Sequence, residues 1–167
     1  YGSYQDDGAQ YWLLGLIVVI IFFVCSILFE SLRQPLAIIS LIPVSFIGTF
    51  LTYYRTGLEF GTGGFASMVL LCGLTVNAGI YILCEYNNQR SAHPSVSPLR
   101  CYLRAYNHKV IAVFLTTLST VLGLVPFYID GTQEHFWFSF AVGSTGGLLF
   151  SVLALVLVMP VFVRLKK

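Results

Sequence analysis

Five stretches of this chain contain no Asp, Glu, Lys or Arg: Tyr11 to Phe29, Leu36 to Tyr54, Gly63 to Cys84, Val110 to Ile129 and Phe136 to Val163. They run from 19 to 28 residues. At a rise of about 1.5 Å per helical residue, each is long enough to cross a bilayer core of about 30 Å. Charged residues make up only 10% of the 167, where a soluble domain carries about a quarter. The longest piece between the stretches, Glu85 to Lys109, has 25 residues. That excludes a sizeable soluble domain on this chain.

Lipid offers no hydrogen bonds, so each span must satisfy its own backbone, and no alternating pattern of barrel strands is present. The predicted fold is therefore all-α, a polytopic transmembrane helix bundle. Its helices are expected over about 11–29, 35–54, 63–86, 109–129 and 136–163. Glu30 to Gln34 joins the first two as a tight hairpin, with Pro35 opening the second helix. Arg55 to Thr62, continuing into Gly63 and Gly64, reads as a flexible outward loop, and Asp130-Gly131 lies in a second, shorter one.

Ser97 and Pro98 read as N-cap and first residue of a short helix over about 98–108, in which Leu99, Tyr102, Leu103 and Tyr106 recur at i, i+3, i+4 and i+7. Arg100 and Arg104 lie off that stripe. This is the pattern of an amphipathic helix lying in the inner interface, its tyrosines at the headgroup boundary and its arginines on anionic lipid.

Basic residues fall on alternate pieces. Arg33, Arg90, Arg100, Arg104, Lys109, Arg164, Lys166 and Lys167 lie on one side of the five crossings and only Arg55 on the other. The positive-inside rule puts the N-terminus outside and the C-terminus in the cytoplasm. Membrane orientation accounts for these charges, and nucleic acid is not an expected partner. Cys25, Cys72 and Cys84 lie within spans and Cys101 in the inner piece, away from the outward loops where disulfides form.

A charge in the bilayer core costs roughly 2.5–3.5 kcal/mol on insertion scales, and the five spans contain none. Glu85 and Lys109 sit at cytoplasmic helix ends, within reach of water. Polar character is concentrated instead in Thr75 and Asn77 of the third span and in Thr116, Thr117, Ser119 and Thr120 of the fourth. Such side chains either bond helices together or line a water-filled path. Thr75, Asn77 and Thr116 are the candidates for a proton pathway. Ser139, Gly143 and Gly147 form a small-residue ladder at four-residue spacing for close helix packing. Pro43, Pro126 and Pro160 interrupt spans two, four and five. His93, His108 and His135 share no helical face at ligand spacing, and hydrolase, zincin and phosphate-loop motifs are missing. No catalytic residue, metal site or cofactor is expected, and the chain does not read as an enzyme.

In order and content the spans resemble the C-terminal membrane segment of resistance-nodulation-division (RND) transporters, especially their multidrug efflux branch. Leu28-Phe29-Glu30-Ser31 leading to Pro35 is similar to the family's aromatic-Glu-Ser turn. Gly73-Leu74-Thr75-Val76-Asn77-Ala78-Gly79-Ile80, closing with Glu85-Tyr86, resembles its Gly-Leu, small, small, Lys-Asn, small, Ile helix. Lys109, Thr116 and Gly123-Leu124-Val125-Pro126 match a basic residue, a threonine and Gly-x-x-Pro, and Ala141 to Gly147 its Val-Gly, small, Gly-Gly run.

The resemblance implies the last five of twelve helices of a proton-driven efflux transporter in the bacterial inner membrane. Residues 1–10 would lead in from an extracytoplasmic porter domain, and residues 11–167 would form a half-bundle. It further implies as partners the lipid bilayer, the N-terminal half-bundle with its acidic relay residues, a homotrimer, a periplasmic adaptor and an outer-membrane channel. A start at Tyr1 agrees with a piece of a longer protein. Where many relatives carry a relay lysine this chain has Asn77, or Val76 if the alignment slips by one, and neither titrates. The alternative from another class is a five-helix scaffold subunit whose polar stripe only packs.

Overall fold

The computed structural model describes residues 7–130 and 135–164, with the side chains of 7–10, 130, 163 and 164 left aside. Every regular element among them is a helix: α1 (Asp7–Phe29), α2 (Arg33–Ile39), α3 (Leu41–Thr56), α4 (Thr62–Ala92), α5 (Pro98–Asp130), α6 (His135–Leu157) and α7 (Met159–Arg164). Five crossings result, because α2 with α3 and α6 with α7 each make one span long and apolar enough to traverse a membrane.

Two of the three span prolines coincide with those divisions. A proline ring collides with the carbonyl four residues earlier, and for Pro43 that residue is Ile39, where α2 ends. Ser40 bridges the step, its N–H donating to Leu36 O (3.0 Å) and its hydroxyl to Ala37 O (2.7 Å). Pro160 lies in the first turn of α7, where a missing N–H removes no helical bond. Pro126 stays inside α5. Only its last turn follows, so little of the ladder remains to be bent.

The centre of the bundle is α3, α4 and α6, with α1 at the edge against α2 and α4. Close approach depends on small residues along α6. A Cβ on Gly143 would meet Ser67 Oγ at 2.6 Å, and one on Gly147 would run into Leu71 and, at 2.7 Å, Thr49 Oγ1. Tyr53 donates its hydroxyl proton to Ser139 O (2.6 Å), with Ser139 Oγ 2.7 Å away, and Thr49 Oγ1 donates to Gly143 O (3.3 Å). Ser139, Gly143 and Gly147 thus face α3 and α4 along one line.

Gly63 and Gly64 lie inside the first turns of α4 rather than in a flexible loop. Space dictates them: a Cβ on Gly63 would meet Phe136 O at 2.6 Å, and one on Gly64 the ring of Phe60 at 2.7 Å. The connection itself is residues 57–61, opened by Gly57 in the left-handed region (φ 67°). The Asp130-Gly131 loop falls at 131–134, outside the described residues.

The largest difference from expectation is in the piece from Glu85 to Lys109. α4 continues six residues beyond Tyr86 to Ala92, and the expected interfacial helix over 98–108 is present as the first turns of α5, unbroken with the fourth span. No Gly or Pro occurs between Leu99 and Leu122, so nothing stops the helix. Its orientation also differs. Tyr102 is 2% exposed and donates to Leu155 O (2.6 Å), Cys101 and Ala105 are buried beside it, and Leu103 is 51% exposed. The tyrosine is held by the end of α6 instead of the headgroup boundary.

Candidate functional site

The walls of one groove repeat the same spacing. Leu74, Asn77, Ala78 and Tyr81 of α4 and Val113, Thr116, Thr117 and Thr120 of α5 each recur at i, i+3, i+4 and i+7, so each set forms one helical stripe. Leu148 and Ser151 of α6 line the groove with them. Asn77 and Thr116 are exposed, so the groove opens on the surface of the five-span unit.

Thr75 is not part of it. Two residues along a helix is a rotation of about 200°, which carries Thr75 to the opposite, buried stripe between Leu71 and Gly79. Leu71 fills the space beside Gly147 there, and Gly79 lies against Leu41 and Ile38. Thr75 is fully buried and its hydroxyl has no hydrogen-bond partner among the described residues. The structure therefore brings Asn77 and Thr116 together and separates Thr75 from both.

Around the groove the Ser and Thr hydroxyl protons all point to backbone. Thr116 donates to Ala112 O, Thr117 to Val113 O and Thr120 to Thr116 O, each at 2.9 Å, and Ser151 donates to Leu148 O at 2.8 Å. Bonding back to the preceding turn is the usual resort of Ser and Thr in an apolar helix. Tyr81 and Ser151 are groove residues that sequence reasoning missed. Tyr81 is one turn from Asn77 and could have been found from that spacing. Ser151 carries no local signal, because only tertiary packing brings α6 beneath the two walls.

One turn from Tyr81 toward the connection of α4 and α5 lies Glu85, and one turn from Val113 in the same direction lies Lys109. Their side chains pair across the two helices, Lys109 Nζ to Glu85 Oε2 at 3.7 Å, with His108 Nδ1 3.6 Å from Glu85 Oε1. Gln89 donates to the same Oε1 at 3.0 Å. About half a turn beyond Glu85, Gln34 and Asn87 exchange amide hydrogen bonds of 3.3 and 2.8 Å and tie α2 to α4. Apart from Asp130 at the far end of α5, the charged residues of α4 and α5 thus collect at the end next to their connection, and the groove lining is uncharged.

Residues 3–167 match the AcrB/AcrD/AcrF family, and the chain belongs to that family.

Proposed function

We propose, from that membership, that these helices are the C-terminal half of the membrane region of a proton-driven efflux transporter in a bacterial inner membrane, and that the α4–α5 groove is one wall of its proton path. The chain is a membrane part of an RND-type transporter; proton coupling, efflux and the link to an extracytoplasmic porter domain are the proposal. The observation that carries it is the meeting of Asn77 and Thr116, from different helices, in one groove with no charged lining residue. An amide facing lipid would lack partners, so a helix from elsewhere in the transporter covers it and brings the carboxylate that takes up the proton. Asn77 then serves as the fixed hydrogen-bonding group for that acid.

Each proton moving inward releases about 2.3 kcal/mol per 100 mV of membrane potential. The interrupted spans, α2–α3 at Ser40 and α6–α7 at Val158, are where bending meets least resistance. Through them helix movement reaches the porter domain, and a homotrimer with a periplasmic adaptor and an outer-membrane channel completes the export route. The test is Asn77→Leu in the complete transporter. Export is expected to fall to background with the protein present at its normal level in the membrane. Unchanged export would reduce Asn77 to a packing residue.

A further inference from the structure

The groove takes up one side of α5, and the opposite side carries a different pattern. Arg100, Arg104, Ile111, Leu115, Leu118 and Leu122 follow one another at spacings that keep them on one stripe. At about 100° per residue that stripe lies roughly 180° around the helix from the threonines of the groove. All six side chains are exposed, the four apolar ones by 41% to 67%. A helix seated in the groove does not reach this face.

The two parts of the stripe match the two parts of one lipid. From Ile111 to Leu122 is about 16 Å along the axis, half of a bilayer core of about 30 Å and so the depth of one leaflet's acyl chains. Arg104 lies about 9 Å beyond Val110, where the charge-free stretch begins, and its long side chain can reach back to headgroup level. Arg100 stands one turn further out on the same bearing. Neither guanidinium has an ion-pair partner among the described residues. Glu85, the one acid of α4, is held by Lys109 and His108, and α5 has no acid before Asp130. Arg90, by contrast, is turned onto the loop carbonyls of Pro94 and Val96. A guanidinium fork suits phosphate oxygens, and basic residues beside an apolar membrane helix face are the pattern that holds anionic headgroups. We propose that this face of α5 binds an anionic phospholipid, its phosphate at Arg100 and Arg104 and its chains along Ile111, Leu115, Leu118 and Leu122. A zwitterionic lipid offers the same chains but carries its own cation beside the phosphate, so the two arginines favour the anionic one. The inference does not depend on the proton path, which lies on the other side of the helix.

The complete transporter in neutral detergent micelles provides the test. Its thermal unfolding is followed with added phosphatidylglycerol and with phosphatidylcholine of the same chains, and the lipids it retains are counted by native mass spectrometry. A ligand bound only by the folded state raises the midpoint, so phosphatidylglycerol should raise it by about a few degrees over phosphatidylcholine and be retained preferentially. The double variant Arg100→Gln, Arg104→Gln should lose both effects while unfolding in phosphatidylcholine like the unmodified protein, since both side chains are exposed. Arg55→Gln at the other end of the bundle and Asn77→Leu in the groove should keep them. Equal midpoints in the two lipids for the unmodified protein overturn the proposal, and that is the result expected if a helix of a neighbouring subunit covers this face. A phosphatidylglycerol effect that survives the double substitution puts the lipid elsewhere and overturns it equally. Glycerol phosphate, which has the anionic group without chains, should give no shift; a shift as large as the lipid's would make this an anion site and overturn the lipid assignment.

Discussion

At Gly48 a Cβ would lie 2.5 Å from the Cβ of Phe150 and 2.6 Å from the carbonyl oxygen of Gly146, whereas at Gly73 it would meet nothing within 4 Å. The two positions separate the steric role of glycine from its conformational cost. Gly48→Ala forces α3 away from α6, and such overpacking costs about 1–3 kcal/mol. Gly73→Ala only improves helix propensity, by up to about 1 kcal/mol. Equilibrium unfolding of the two variants in mixed micelles should therefore move in opposite directions, Gly48→Ala down and Gly73→Ala level or up. A loss at both would mean that Gly73 packs against a surface outside the described helices. Sequence showed a ladder of small residues along α6 but not which neighbours press on it. Gly48–Thr52 and Gly63–Ser67 repeat the same spacing, but spacing alone does not tell which helix presses on a position.

Helices α4 and α5 show where legibility stops at the level of elements. A charge-free stretch marks the part of a helix that lies in lipid, because only there do charges carry a heavy cost. It says nothing of how far the helix continues into water. Asn87 to Ala92 continue α4 without any apolar pattern, and the turns from Pro98 continue into the fourth span. Once both helices are long and the connection between them short, Glu85 and Lys109 are brought opposite each other, a pairing that a disordered 25-residue piece would not impose. The buried side of α5's first turns is likewise set by its neighbour, the end of α6. Tyr102→Phe keeps the ring but removes the bond to Leu155 O. Interhelical bonds of this kind average about 0.6 kcal/mol in a membrane, so the expected loss in micelle unfolding is of that order. Tyr106→Phe, half-buried and stacked on Tyr102 at a centroid distance of 6.4 Å, should cost less. A larger loss at Tyr106 would return the headgroup reading of this segment.

Taken together, the lengths and charges of the elements predict how the molecule sits across lipid. α4 has 31 residues and α5 has 33, which at 1.5 Å each is roughly 46–50 Å against a core of about 30 Å. Most of the excess lies at their shared end, where α4 runs to Ala92, α5 starts at Pro98 and Arg90 donates to the carbonyls of Pro94 and Val96 within the loop. Arg90, Arg100 and Arg104 lie at that end, and the opposite end of α3 and α4 holds Arg55 and Glu59. Short loops rich in Lys and Arg are retained in the cytoplasm, so the projecting end of α4 and α5 is expected to face inward and the loop over 57–61 outward. The expectation is checked by single cysteines in the complete protein with Cys25, Cys72, Cys84 and Cys101 replaced. Ser95→Cys should react with a membrane-impermeant maleimide only in inside-out vesicles, and Glu59→Cys only from the outer face of intact spheroplasts. The reverse pattern would invert the bundle and place the Glu85–Lys109 pair at the outer mouth of the groove, where inward-moving protons first meet it.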